Sequence, residues 1–131
     1  MKWVSKGKKK KYSLSRFFKS FTYAFKGIRT ACQTEQNLLF DLIFAFLTII
    51  LGFILKLSTV EFVIVILSIG VVISLELVNT SIEYTVDMAM PEIHPLAKAA
   101  KDIASGAVLI SAIVALIIGI IIYLPKVIDL F

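Results

Sequence analysis

A chain of 131 residues that is 59% hydrophobic exceeds the roughly half-apolar composition of ordinary water-soluble domains. Its net charge is +5, from 14 Lys and Arg against 9 Asp and Glu, and its single cysteine, Cys32, excludes an intrachain disulfide. The apolar residues fall in long blocks, which points to a small polytopic membrane protein rather than a soluble enzyme or a nucleic-acid-binding module.

Residues 1–12 are mostly lysine and read as a basic cytoplasmic tail. Positive residues stay on the inner side of a membrane, and each Lys near an anionic surface adds about 1 kcal/mol of attraction. No secretory signal pattern is present. Residues 13–131 read as one membrane domain. From 14 to 33 the period is helical: Phe17, Phe18, Phe21, Phe25, Ile28 and Cys32 share one face, and Arg16, Lys19, Lys26, Arg29 and Gln33 lie around the others. A basic, aromatic-rich amphipathic helix of this kind lies in the membrane interface.

The first span is expected at 38–57, with Asp41 near its entrance in reach of headgroup water. Lys56, Ser58 and Glu61 make a short outer turn. The second span, 61–87, is long for a hydrocarbon layer of about 30 Å at 1.5 Å per residue, so its polar end emerges on the cytoplasmic side. Pro91 and Pro95 break the chain around Glu92 and His94. The third span is expected at 98–124, ended by Pro125. Ala107, Ser111, Ala115 and Gly119 give it a ridge of small residues that admits a neighbouring helix closely. The fold class is therefore all-α: three transmembrane helices and an amphipathic surface helix, with the N-terminus in the cytoplasm.

The chemistry lies in one stretch. A fourteen-residue run, Phe62 to Leu75, has no ionised side chain, and Glu76, Asn79, Glu83 and Asp87 follow it at helical spacing on one stripe. A charge at membrane depth costs roughly 2.5–3.5 kcal/mol on insertion scales. Three acids on one stripe repel unless a cation or protons intervene, which suits a reaction site better than a structural seam. Glu35 and Glu83 at the cytoplasmic end, with Lys101 nearby, suit a Mg²⁺–polyphosphate complex, because Mg²⁺ takes few protein carboxylates and completes its shell with phosphate and water. Glu76 lies two turns deeper, roughly 10 Å from Glu83, where a base meets a lipid headgroup. These positions point to phosphoryl transfer from a nucleotide to a lipid hydroxyl. No P-loop motif is present. Ser105 is a candidate substrate contact, although a small serine near a helix crossing also serves packing.

The segment from Glu76 to Asp87, E-L-V-N-T-S-I-E-Y-T-V-D, resembles the signature of the bacterial integral-membrane diacylglycerol kinases. The block A-K-D-I-A-S-G-A-V-L from Ala100 resembles that family's second motif, and Arg16, Tyr23, the K-G-I-R run from Lys26 and Glu35 stand where its surface helix and first span carry such residues. The resemblance covers about residues 14–124. It implies a homotrimer with active sites between subunits, Glu76 as general base, and Glu35 and Glu83 as ligands of Mg²⁺ or Mn²⁺. Arg16, Tyr23, Asn79, Asp87, Lys101 and Asp102 then surround ATP or order the site, with Glu92 to His94 beside it and Arg16 also touching the lipid. The lysine-rich tail and the I-I-Y-L-P-K ending resemble the undecaprenol kinase branch, in a bacterial plasma membrane. Ile93 and Pro95 depart from the diacylglycerol branch in the loop. Two other readings are a diacylglycerol kinase making phosphatidic acid and, in a different class, a proton- or ion-translocating subunit. The second needs acids continuing towards the outer face, where the spans are almost wholly apolar. A third is a scaffold whose polar stripe only sets oligomer register.

Overall fold

The structure is a computed structural model and describes residues 13–131; the basic tail at 1–12 lies outside the described residues. Four helices follow in order: α1 (Leu14–Thr34), α2 (Gln36–Ile54), α3 (Thr59–Ala89) and α4 (Pro95–Ile128). No strand occurs among the described residues, so the all-α expectation is met. The last three helices are long and apolar enough to cross a membrane.

α1 starts at residue 14 and its first seventeen residues are exposed, with Phe17, Phe18, Phe21 and Phe25 all at least half exposed. Among the described residues none covers this aromatic face, which fits an interfacial helix. Only the last turns of α1 pack inward, where Ala31 is buried. Glu35 alone separates α1 from α2, with an extended backbone that lets the chain turn into the bundle.

α3 and α4 form the tightest pair, with α2 leaning mainly on α3. Their inner stripes are Val65, Val72, Glu76 and Thr80 on α3 and Ala104, Ser111 and Ile122 on α4. The expected small-residue ridge is therefore rotated: Ser111 is buried and Ala115 and Gly119 are partly covered, but Ala107 is exposed. The helical register runs through Ala104 instead.

The short turn at the far end is built locally. Leu57 is buried in it and Lys56 takes a left-handed φ of 52°. Ser58 and Glu61 form a reciprocal capping box: the Ser58 amide donates to Glu61 Oε2 at 2.6 Å, and the Glu61 amide donates to Ser58 Oγ at 3.3 Å. Lys126 reaches the same Glu61 oxygen at 3.2 Å. Tyr123 donates its hydroxyl to the Thr48 carbonyl at 2.8 Å, tying α4 to α2. Gly52 allows the approach, since a Cβ there would stand 3.0 Å from both Tyr123 Oη and Phe62 Cζ.

One boundary differs from expectation. Pro125 lies inside α4, which continues to Ile128 instead of stopping at 124. Proline's fixed φ is compatible with helix, and its cost is one lost amide donor and a clash with the preceding turn. The final turn recovers part of this through the Asp129 amide on the Pro125 carbonyl, 3.0 Å, and through the Lys126–Glu61 pair.

Candidate active site at the α2–α3–α4 end

The polar stripe of α3 turns towards its neighbours. Asn79 is partly buried; its Nδ2 donates to Glu83 Oε1 at 3.2 Å, and its Oδ1 accepts from Ser105 Oγ of α4 at 3.5 Å. One turn further, Asp87 Oδ1 accepts from Lys101 Nζ at 2.7 Å. Asn79 and Asp87, eight residues apart on α3, meet Ser105 and Lys101, four apart on α4, so two rungs tie the helices together.

Glu76 is the deepest of the set, 6% exposed, with Val72 and Thr80 buried beside it. Thr80 returns its hydroxyl to the Glu76 carbonyl at 3.0 Å, which satisfies the only buried hydroxyl nearby without involving the carboxylate. Asp41, Glu35 and Glu83 lie in electrostatic range of Glu76.

Glu35 reaches this end through the α1–α2 junction. Thr34 Oγ1 accepts from the Tyr84 hydroxyl at 2.8 Å. That bond joins the residue before Glu35 to the residue after Glu83 and brings the two carboxylates to one level of the bundle. Neither acid is assembled into a complete protein cage: among the described residues no group of three His, Cys, Asp or Glu side chains converges. Two acids from separate elements, one already accepting from Asn79, fit a hard divalent cation whose remaining ligands are phosphate oxygens and water.

Other expected residues are placed differently. Arg16 is exposed in the first turn of α1, about 28 Å along the helix from Glu35 at 1.5 Å per residue. Tyr23 is 66% exposed on the same outer half. That separation along α1 keeps Arg16 away from Glu35 of its own chain. Asp102 pairs with Lys98 on its own helix rather than facing α3. His94 is the N-cap of α4, its Nδ1 accepting from the Leu96 amide at 3.2 Å, and Pro95 takes the first helical position behind it. Glu92 lies exposed in the bend before it.

Asp41 was expected near headgroup water. It is partly buried and borders the bundle interior. The sign in the sequence was the stripe Asp41, Ala45, Thr48, Gly52, small or polar at helical spacing in an otherwise bulky helix. This stripe borders a cavity of about 600 Å³ between α2, α3 and α4 that runs from Asp41 to Tyr123 and is lined mainly by aliphatic side chains.

Sequence comparison shows the family of a chain with this buried glutamate and its neighbouring carboxylates. The prokaryotic diacylglycerol kinase family matches residues 22–123. The chain belongs to that family. It is 50% identical over 113 residues to the undecaprenol kinase of Bacillus subtilis strain 168, covering 86% of this chain and 92% of that one. It is 37% identical over 112 residues to a diacylglycerol kinase of Synechocystis, covering 85% of this chain and 64% of the relative. The diacylglycerol kinase of Escherichia coli K12 is 34% identical over 103 residues, covering 79% and 84%. Family membership and three apolar helices make it a multi-pass membrane protein of the lipid kinase class.

Proposed function

We propose that the protein transfers the γ-phosphoryl group of ATP to undecaprenol, forming undecaprenyl phosphate, with Glu76 as the general base. The observation that carries the reading is the buried Glu76, on one stripe with Glu83 and in electrostatic range of Glu35 and Asp41. Half identity with an undecaprenol kinase over most of both chains supports the polyprenol over a diacylglycerol. The apolar cavity starting at Asp41 offers a long aliphatic surface to an isoprenoid tail.

In the reaction the lipid hydroxyl oxygen forms a bond to the γ-phosphorus, the bond from that phosphorus to the β-bridging oxygen breaks, and ADP leaves. The hydroxyl proton passes to Glu76. Glu35 and Glu83 would hold Mg²⁺ or Mn²⁺, and Asn79 fixes one Glu83 oxygen from the side. When bound, the metal neutralises charge building on the transferred group. Lys101, directed towards the end of α3 by Asp87, supplies a point charge to phosphate. The N-terminal helix lies on the cytoplasmic side, where ATP is available, in a bacterial plasma membrane. The ion-translocating alternative finds little support, because Thr48, Ser68 and Tyr123 are the only polar side chains along the cavity beyond Asp41.

Purified protein given ATP and Mg²⁺ is expected to consume ATP with undecaprenol at a clearly higher kcat/KM than with diacylglycerol. The reverse order assigns the substrate to diacylglycerol, and no lipid-dependent consumption with either removes the kinase reading.

The working unit in this reading is a homotrimer with sites completed by a neighbour. Its support is the separation of Arg16 from Glu35 along α1 of its own chain, together with the many large apolar side chains of the spans that stand exposed among the described residues. Subunits carrying Arg16→Ala and subunits carrying Glu76→Gln, each inactive alone, are expected to regain activity when mixed. Random assembly leaves about a quarter of the sites with both residues intact in a symmetric oligomer. Mixtures as inactive as the parents would place both residues in one chain's site.

A further inference from the structure

The α2 helix carries an acid that the proposed reaction leaves without a task. Leu38, 1% exposed, is the most deeply buried side chain and fixes the rotation of α2 at its start. Asp41 is three residues on, so it shares that inward face. The level is fixed independently. From the Tyr84–Thr34 hydrogen bond, Asp41 is seven residues along α2 and Glu76 eight residues back along α3, which is about 10–12 Å on each helix. Asp41 also lines one cavity with Val72 and Ile73, the residues just before Glu76 on α3, so the two carboxyl groups face each other across the helix pair.

Two ionised carboxylates side by side at this depth repel strongly, and the other charges bearing on Glu76, from Glu35 and Glu83, are also negative. A proton held between the pair removes the repulsion and makes a hydrogen bond that neither acid could form alone. The geometry points to Asp41 as the positioning residue for Glu76: its carboxyl group carries the proton, donates it in a hydrogen bond to one Glu76 oxygen, and leaves the other Glu76 oxygen aimed at the substrate hydroxyl. The inference rests on Glu76 being the base. Before transfer the pair holds one proton and one negative charge. The lipid hydroxyl proton then arrives on Glu76 as the O–P bond forms and the bond to ADP breaks, so the pair becomes neutral with two protons. One proton leaves to water on the cytoplasmic side, and the starting state returns.

The test compares two substitutions that differ in hydrogen-bonding ability. Asp41→Leu keeps bulk and suits an apolar helix but cannot donate; Asp41→Asn keeps an N–H donor in the same place. A hydrogen bond to a charged group that orients it contributes enough to change rates by about 10- to 100-fold. Asp41→Leu is expected to lower kcat by that factor, with the KM for Mg²⁺–ATP within about twofold of the native value. Asp41→Asn is expected to recover about tenfold of the loss. Mg²⁺-dependent nucleotide binding by each purified variant reports that the fold is intact, and it also reads out a variant too unstable to assay. Native kcat in Asp41→Leu overturns the proposal. So does an Asn variant as impaired as the Leu variant, which would make the ionised acid the active form, and so does loss of nucleotide binding in both, which would make the role structural. Failure of the underlying reading is separable, because native kcat in Glu76→Gln would remove the base itself whatever Asp41 does.

Discussion

Glu76→Gln is expected to lower turnover with the lipid acceptor by about 10²–10⁴-fold, the usual cost of removing a positioned general base, while Mg²⁺-dependent ATP binding persists. The amide keeps the size and polarity of the side chain. It can still donate a hydrogen bond but cannot accept the proton of an attacking hydroxyl. Burial matters to the size of the effect: at 6% exposure, few water molecules can stand in as the proton acceptor. Packing should survive, because Val72 and Thr80 pack beside the backbone and the Thr80 hydroxyl is bound to the Glu76 carbonyl, not to its side chain. The measurement is kcat against lipid, paired with nucleotide titration. Persisting turnover would transfer the base role to another group; loss of metal-dependent ATP binding would make Glu76 a metal ligand.

The helices were legible because hydrophobic blocks and prolines dominate this chain. Three apolar runs of membrane length, a basic aromatic face at 14–33 and a Pro-x-x-x-Pro break at 91–95 leave little choice of architecture. The stripe of Glu76, Asn79, Glu83 and Asp87 was equally legible, since its spacing is a property of one helix. What crosses between helices was harder. Pairing of Asp87 with Lys101, and of Asn79 with Ser105, depends on the relative rotation of α3 and α4, which periodicity within either helix does not set. The direction in which Asp41 faces was hidden for the same reason. Its depth along α2 is readable, but its facing direction follows from how Leu38 and Gly52 seat that helix. Pro125 was read as a stop because proline usually ends helices, and only the tertiary contacts of Lys126 and Asp129 explain the extra turn. Arg16 and Tyr23 were assigned through family resemblance, and α1 keeps Arg16 away from Glu35 of its own chain.

Glu83→Gln is expected to act one step earlier than Glu76→Gln. Glu83 is only partly buried and stands nearer the end of α3, with one oxygen accepting from Asn79 and the other directed by the same contact. With Glu35 tied to its level through Tyr84 and Thr34, it is the acid placed to share a divalent cation with the nucleotide phosphates. An amide oxygen is a weaker, uncharged ligand, so the variant should bind ATP no better with Mg²⁺ than without it. Because the metal also neutralises charge in the transition state, turnover should fall by at least about 10²-fold at ordinary metal concentrations, and part of the loss should return as Mg²⁺ or Mn²⁺ is raised. That recovery separates a metal ligand from a base, since added metal cannot replace a missing proton acceptor. The decisive comparison is nucleotide titration of both Gln variants with and without metal, alongside kinetics. If Glu83→Gln keeps metal-dependent ATP binding while Glu76→Gln loses it, the two carboxylates hold each other's roles.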